Sequence, residues 1–77
     1  MSETLHLKYF LAKTTNKELL AAAESQNSFK KGHGYIGKTV TDEIYETYMK
    51  GLGGSMFSAY DIVTSEIAER IVEKTWI

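Results

Sequence analysis

Cysteine is absent from this chain, and so is proline. Without a thiol there is no disulfide framework, no zinc knuckle and no thiol catalysis, and an intracellular, cytoplasmic setting is the expectation. Long apolar runs are missing as well. The longest is Leu19 to Ala23, and the opening Met-Ser-Glu-Thr is neither basic nor followed by an apolar stretch. A signal peptide and a membrane span are therefore not expected, and the chain reads as soluble with no membrane partner. Histidine is scarce. His6 and His33 lie far apart and no second histidine accompanies either, so neither a metal nor a cofactor is expected. There is also no internal repeat, no low-complexity tract and no linker long enough to divide domains.

What is present suits one small globular domain spanning residues 1–77, with 43% apolar and 25% charged residues. A chain of this size buries only about 60% of its unfolded surface, which leaves no core to spare for a deep active-site cleft. Its net charge of −1 hides an asymmetry. Residues 1–40 carry six lysines against three glutamates, whereas residues 41–77 carry Lys50, Arg70 and Lys74 against seven acids. The halves either attract each other within the fold or present faces of opposite sign to partners.

Leu5, Leu7, Tyr9 and Leu11 alternate with His6, Lys8 and Phe10. That period of two predicts a strand over residues 4–12. Thr15-Asn16-Lys17-Glu18 is a capping-box pattern, and the leucines and alanines after it predict a helix to about Glu24 or Ser25. The Gly/Lys-rich segment 29–38 reads as a loop, with room for a second short strand from Tyr35 to Val40. Thr41 before Asp42-Glu43 predicts a helix start, and Gly51, Gly53 and Gly54 its end. From Ser55 onward Met56, Tyr60, Val63, Ile67 and Ile71 recur every three or four residues, which predicts an amphipathic helix. The fold class expected is α+β, with an N-terminal strand and about three helices. The alternative is an all-α bundle with residues 3–12 helical.

Gly32-His33-Gly34-Tyr35-Ile36-Gly37-Lys38-Thr39 satisfies the phosphate-binding pattern G-x-x-x-x-G-K-[ST]. A P-loop, however, follows a buried strand, and Gln26-Asn27-Ser28-Phe29-Lys30-Lys31 is none. The parallel sheet that carries such a loop also needs more chain than this. Lys31 to Ile36 further resembles the signature of RNA-recognition-motif domains over about eight residues, with His33 in place of one aromatic and Lys38 in place of the last. With stacking positions missing and no strand between Ser25 and Lys31, that family is not assigned. What survives is a loop whose Lys30, Lys31, His33, Tyr35 and Lys38 suit a phosphate or a stacked base.

Glu66, Glu69 and Glu73 share a helical face with Arg70 among them, which reads as a solvated face with one surface pair, Glu66 to Arg70. Ile62 and Trp76 project onto that acidic side. Either the helix begins later, near Thr64 or Ser65, or these two side chains meet something other than the main core, or the C-terminal end folds Trp76 back onto the domain. No nucleophile, base and orienting group come together in the sequence, so no enzymatic activity is expected. Five Tyr and one Trp are more aromatic surface than so small a core encloses, and such residues favour interfaces. The reading is a non-enzymatic binding or regulatory module that acts by protein–protein contact. A compact inhibitor or adaptor of the kind encoded by phages and mobile elements suits the size. Its expected contact residues are Ile62, Glu69, Glu73 and Trp76, with a homo-oligomer as one form of partner. The alternative is nucleic-acid binding through loop 29–38.

Overall fold

The computed structural model describes residues 3–35 and 37–76, with side chains from His6 onward. It holds four α-helices: α1 (Glu3–Lys13), α2 (Asn16–Lys30), α3 (Val40–Ile44) and α4 (Met56–Val72). α3 continues through a π-helical turn, Tyr45–Met49, and a 3-10 turn, Lys50–Leu52. Among the described residues there is no strand. The α+β expectation is thereby overturned, and the all-α alternative with a helical N-terminal segment holds. Among the described residues, no helix is long and apolar enough to cross a membrane.

The alternation at residues 5–11 concealed a second pattern. Leu7, Phe10, Leu11 and Thr14 stand at i, i+3, i+4 and i+7, and these are the α1-side residues that are buried or half-buried. Tyr9, which completed the strand pattern, faces solvent; the side chain of Leu5 lies outside the described residues. A strand also requires a partner for its backbone groups, whereas a helix satisfies them internally. The second strand expected at Tyr35–Val40 is absent as well. Gly37 takes φ +62°, Thr39 is the extended cap of α3, and Val40 is already helical; Ile36 lies outside the described residues.

The helix starts follow the local chemistry. The Thr15 hydroxyl accepts from the Glu18 amide at 3.1 Å, and the Thr15 amide donates to Glu18 Oε1 at 2.9 Å, which completes the expected box. α2 then runs to Lys30, beyond the expected end. α3 is capped two residues before the expected Thr41. Thr39 is its cap, its amide donating to Asp42 Oδ2 at 2.8 Å, while Thr41 is buried. Ser55 caps α4, accepting from the Ser58 amide at 3.2 Å.

Three helix ends close in the same way, a 6→1 bond around a 5→2 bond with a left-handed residue between. After α2, His33 N donates to Ser28 O and Gly32 N to Phe29 O; before α4, Gly54 N donates to Met49 O and Gly53 N to Lys50 O. After α4, Thr75 N donates to Arg70 O at 2.8 Å and Lys74 N to Ile71 O at 3.1 Å. The left-handed residue is Gly32, then Gly53, but at the third end it is Lys74, with φ 62°.

The core is small. Leu19 and Ala22 from α2, Val40 and Ile44 from α3, and Ala59 and Val63 from α4 are buried. Leu7, Phe10, Leu11, Tyr45, Tyr48, Met49, Ile62, Ile67 and Trp76 pack around them. α1 docks at the edge through Phe10, whose ring meets Tyr48 at 6.0 Å and a 59° tilt, and through Tyr48 Oη, which donates to His6 O at 3.4 Å. The result is a flat body of 39 × 33 × 16 Å.

Candidate functional site

Loop 29–38 is organised by its left-handed glycines and by one aromatic contact. Gly32 closes α2, Gly34 and Gly37 also take positive φ, and the chain brings Tyr35 back onto Phe29. The two rings stack with centroids 4.5 Å apart and planes 7° from parallel, and both remain about half exposed. Lys30, Lys31 and His33 are exposed at the C-terminal end of α2, where positive charge offsets the negative end of the helix dipole. Lys38 stands apart from them. It borders a groove of about 430 Å³ between α2 and α3 with Glu18, Asp42, Glu43 and Glu46, surroundings that repel a phosphate.

Neither motif finds its architecture here. The element before the loop is a helix instead of a buried strand, and the Thr39 hydroxyl, which a P-loop gives to a metal, accepts from the Thr41 amide at 3.3 Å. The RNA-recognition sheet has no counterpart among the described residues. Of the five loop residues expected to form one anion site, the structure groups Lys30, Lys31, His33 and Tyr35 near the end of α2 and sets Lys38 at the rim of the acidic groove.

The C-terminal helix differs more from expectation. α4 is continuous from Met56, and Ile62 and Trp76 are half-buried against the core; they do not form an exposed anchor pair. Trp76 reaches the core because the left-handed Lys74 reverses the chain, and the next carbonyl, Thr75 O, accepts from Asn16 Nδ2 at 3.0 Å. Glu69 and Glu73 are exposed, but without these two apolar neighbours open beside them.

Glu66 and Arg70 lie on the inner side of α4, the side of Ala59 and Val63, and are not a solvated pair. Arg70 Nε donates to Glu66 Oε2 at 2.8 Å, with the two side chains 13% and 17% exposed. Its Nη1 donates to Asn16 Oδ1 at 2.7 Å and its Nη2 to Leu11 O at 2.8 Å. One guanidinium thus joins the C-terminal turn of α1, the first turn of α2 and the body of α4.

Sequence reasoning missed the side of α4 opposite this network. Phe57, Ile71 and Val72 are 63%, 55% and 79% exposed, although Ile71 was expected on the core face. Thr64 and Ala68 lie between them and are exposed too. At about 100° per residue, Phe57, Asp61, Thr64, Ala68, Ile71 and Val72 share one stripe, and Asp61 is its single charge. The spacing was legible, but the stripe emerges only once Glu66 and Arg70 are placed inside.

Among the ionisable groups, Glu18 is held below the usual carboxylate range by the hydrogen bond from the Thr15 amide and then by that from the Thr15 hydroxyl. That shift belongs to a helix cap. Comparison with known proteins finds no matching family model, no similar curated protein and no similar solved structure.

Proposed function

We propose that this chain is a non-enzymatic binding or regulatory module of the cytoplasm that acts by protein–protein contact, with the outer stripe of α4 as its contact surface. The observation that carries this reading is the exposure of Phe57, Ile71 and Val72 on one side of a single helix. Apolar surface left in water forgoes about 25 cal/mol per Å². Among the described residues only six apolar side chains are buried, and three large ones kept outside along one line have the pattern of a surface completed by a partner. The small residues between them let another backbone approach closely. A compact inhibitor or adaptor fits this description.

A photo-crosslinking residue at Ala68, compared with one at the exposed Lys17 of α2, tests the surface. Specific crosslinks to another polypeptide from Ala68 and none from Lys17 are expected. Equal capture at both, or at neither, refutes the assignment.

A second reading, single-stranded nucleic acid, is favoured by the Phe29–Tyr35 stack beside Lys30 and Lys31, because base stacking next to lysines is how such strands are held. It predicts salt-dependent retardation of DNA or RNA, with the log–log salt slope reduced by roughly one in Lys30→Ala. No retardation at low salt removes it.

A further inference from the structure

We propose that α1 is a latch, a helix that opens as a unit while the body of α2, α3 and α4 stays folded, and that charges facing each other across two clefts help to hold it shut. Among the described residues, every buried apolar side chain comes from α2, α3 or α4, whereas Leu7, Phe10 and Leu11 of α1 are only half-buried. α1 is attached to the core and not built into it. A cleft of about 380 Å³ runs between it and α4, and another of about 270 Å³ runs between it and the α2–α3 side. Its ties to the body are the Phe10 ring against Tyr48, the long 3.4 Å bond from Tyr48 Oη to His6 O, and the 2.8 Å bond from Arg70 Nη2 to Leu11 O.

The body keeps its own closures when α1 leaves. α1 is finished by Thr14, whose amide donates to Leu11 O at 3.1 Å and whose hydroxyl donates to Phe10 O at 2.8 Å, while α2 starts from the separate box of Thr15 and Glu18. Each helix is therefore closed on its own side of the Thr14–Thr15 junction. Opening takes one acceptor from Arg70, which retains Glu66 and Asn16, and Leu11 O retains the Thr14 amide. What is lost is mainly the half-buried packing around Tyr48, so this opening lies below global unfolding in free energy. It bares Tyr48 together with the Leu7, Phe10 and Leu11 stripe. Charge sets how firmly the latch closes. Lys8 lines one cleft with Glu66 and Glu69, and Lys13 lines the other with Glu18 and Glu43. The ion pairs of the described residues, Lys50–Glu46 and Arg70–Glu66, include neither lysine. The attraction thus acts across solvent, where salt screens it over ~10 Å at about 0.1 M.

Native-state hydrogen exchange of the full chain, read amide by amide by NMR and corrected for intrinsic rates, tests the latch. The amides of Tyr9, Phe10, Leu11 and Ala12 should share one protection factor, at least ~100-fold below those of Ala22 and Val63. Phe10→Ala should lower it at least ~10-fold more and leave Ala22 and Val63 unchanged. Raising NaCl from about 0.02 to 0.5 M should lower the protection of α1 more than that of the core. Glu69→Lys, a change at an exposed position, should lower it ~3-fold or more at low salt, and Lys8→Glu/Glu69→Lys should restore it, a recovery that only charges facing each other across the cleft produce. Protection in α1 equal to that of the core overturns the inference, because α1 would then leave only on global unfolding. A protection that falls stepwise from Ala12 to Tyr9 overturns it too, since that is fraying from one end. So does a Phe10→Ala loss shared equally by α1 and the core. If α1 opens as a unit but ignores both salt and the charge swap, the charges across the clefts are not what holds it.

Discussion

Replacing Arg70 with methionine keeps most of the side-chain volume and removes the guanidinium. Glu66 Oε2 and Asn16 Oδ1 then lose this donor, as does the Leu11 carbonyl, which keeps only the Thr14 amide at 3.1 Å. Hydrogen bonds that involve a charged group contribute roughly 1.5 to 3 kcal/mol each, and stripping one partner from a fully buried ion pair costs about 3 to 5 kcal/mol. Arg70 and Glu66 retain 13% and 17% of their side-chain surface, so water reaches part of the orphaned carboxylate and the lower part of that range applies. The expected loss is about 3 kcal/mol, from a total stability of roughly 4 to 12 kcal/mol for a chain of this length. At about 4 to 8 °C per kcal/mol the melting point should fall by ~12 to 24 °C. Urea unfolding followed by circular dichroism, with Trp76 fluorescence as a second probe, measures it. The companion variant Glu66→Leu/Arg70→Met removes the carboxylate too, and should recover part of the loss, because a buried pair replaced together by apolar groups avoids the unpaired charge. Arg70→Lys should lie between parent and methionine, since an ammonium cannot reach three acceptors with a planar fork. A loss under ~1 kcal/mol in Arg70→Met would place the pair among ordinary surface ion pairs and refute the argument that it joins three helices.

Lys74→Gly should raise stability by about 1 kcal/mol, because a left-handed residue with a side chain costs roughly 1 to 2 kcal/mol and glycine returns part of that gain as unfolded-state entropy; thermal unfolding at fixed protein concentration checks it, and a destabilised variant contradicts the Lys74 geometry. Trp76→Ala should lower stability by about 2 kcal/mol, less than for a fully enclosed tryptophan because the ring is half-buried. A variant with unchanged unfolding would mean that Trp76 is free of the core. Glu18 titrates below its ordinary value in the folded chain. Its stabilising contribution is therefore complete above the ordinary carboxylate range and disappears as the pH falls through the lowered value. Carboxyl-resolved NMR titration should place Glu18 below the ordinary glutamate value, and Thr15→Ala should move it up.

Local chemistry was legible in the sequence wherever a few adjacent residues settle the outcome. Thr15 with Glu18 announced the start of α2, Ser55 preceded α4, and Gly53 marked the turn before it, since a hydroxyl finds its amide within one turn and a left-handed turn selects glycine whatever the rest of the fold does. The start of α3 was misjudged by two residues because Thr39 and Thr41 carry the same hydroxyl, and burial of Thr41 decided between them. Residues 4–12 carried two periodicities at once. Whether Leu7, Phe10 and Leu11 form a helical stripe or half of an alternating strand depends on what they face, and they face Tyr48 and the core. The contact surface was least legible, for the same reason. Arg70 looked solvated because its charge permits it. Only the folded chain sets Leu11 O, Asn16 and Glu66 around one guanidinium, acceptors up to fifty-nine positions away, and so allows a cation to occupy the inner side of α4. With that side taken, Phe57, Ile71 and Val72 turn outward.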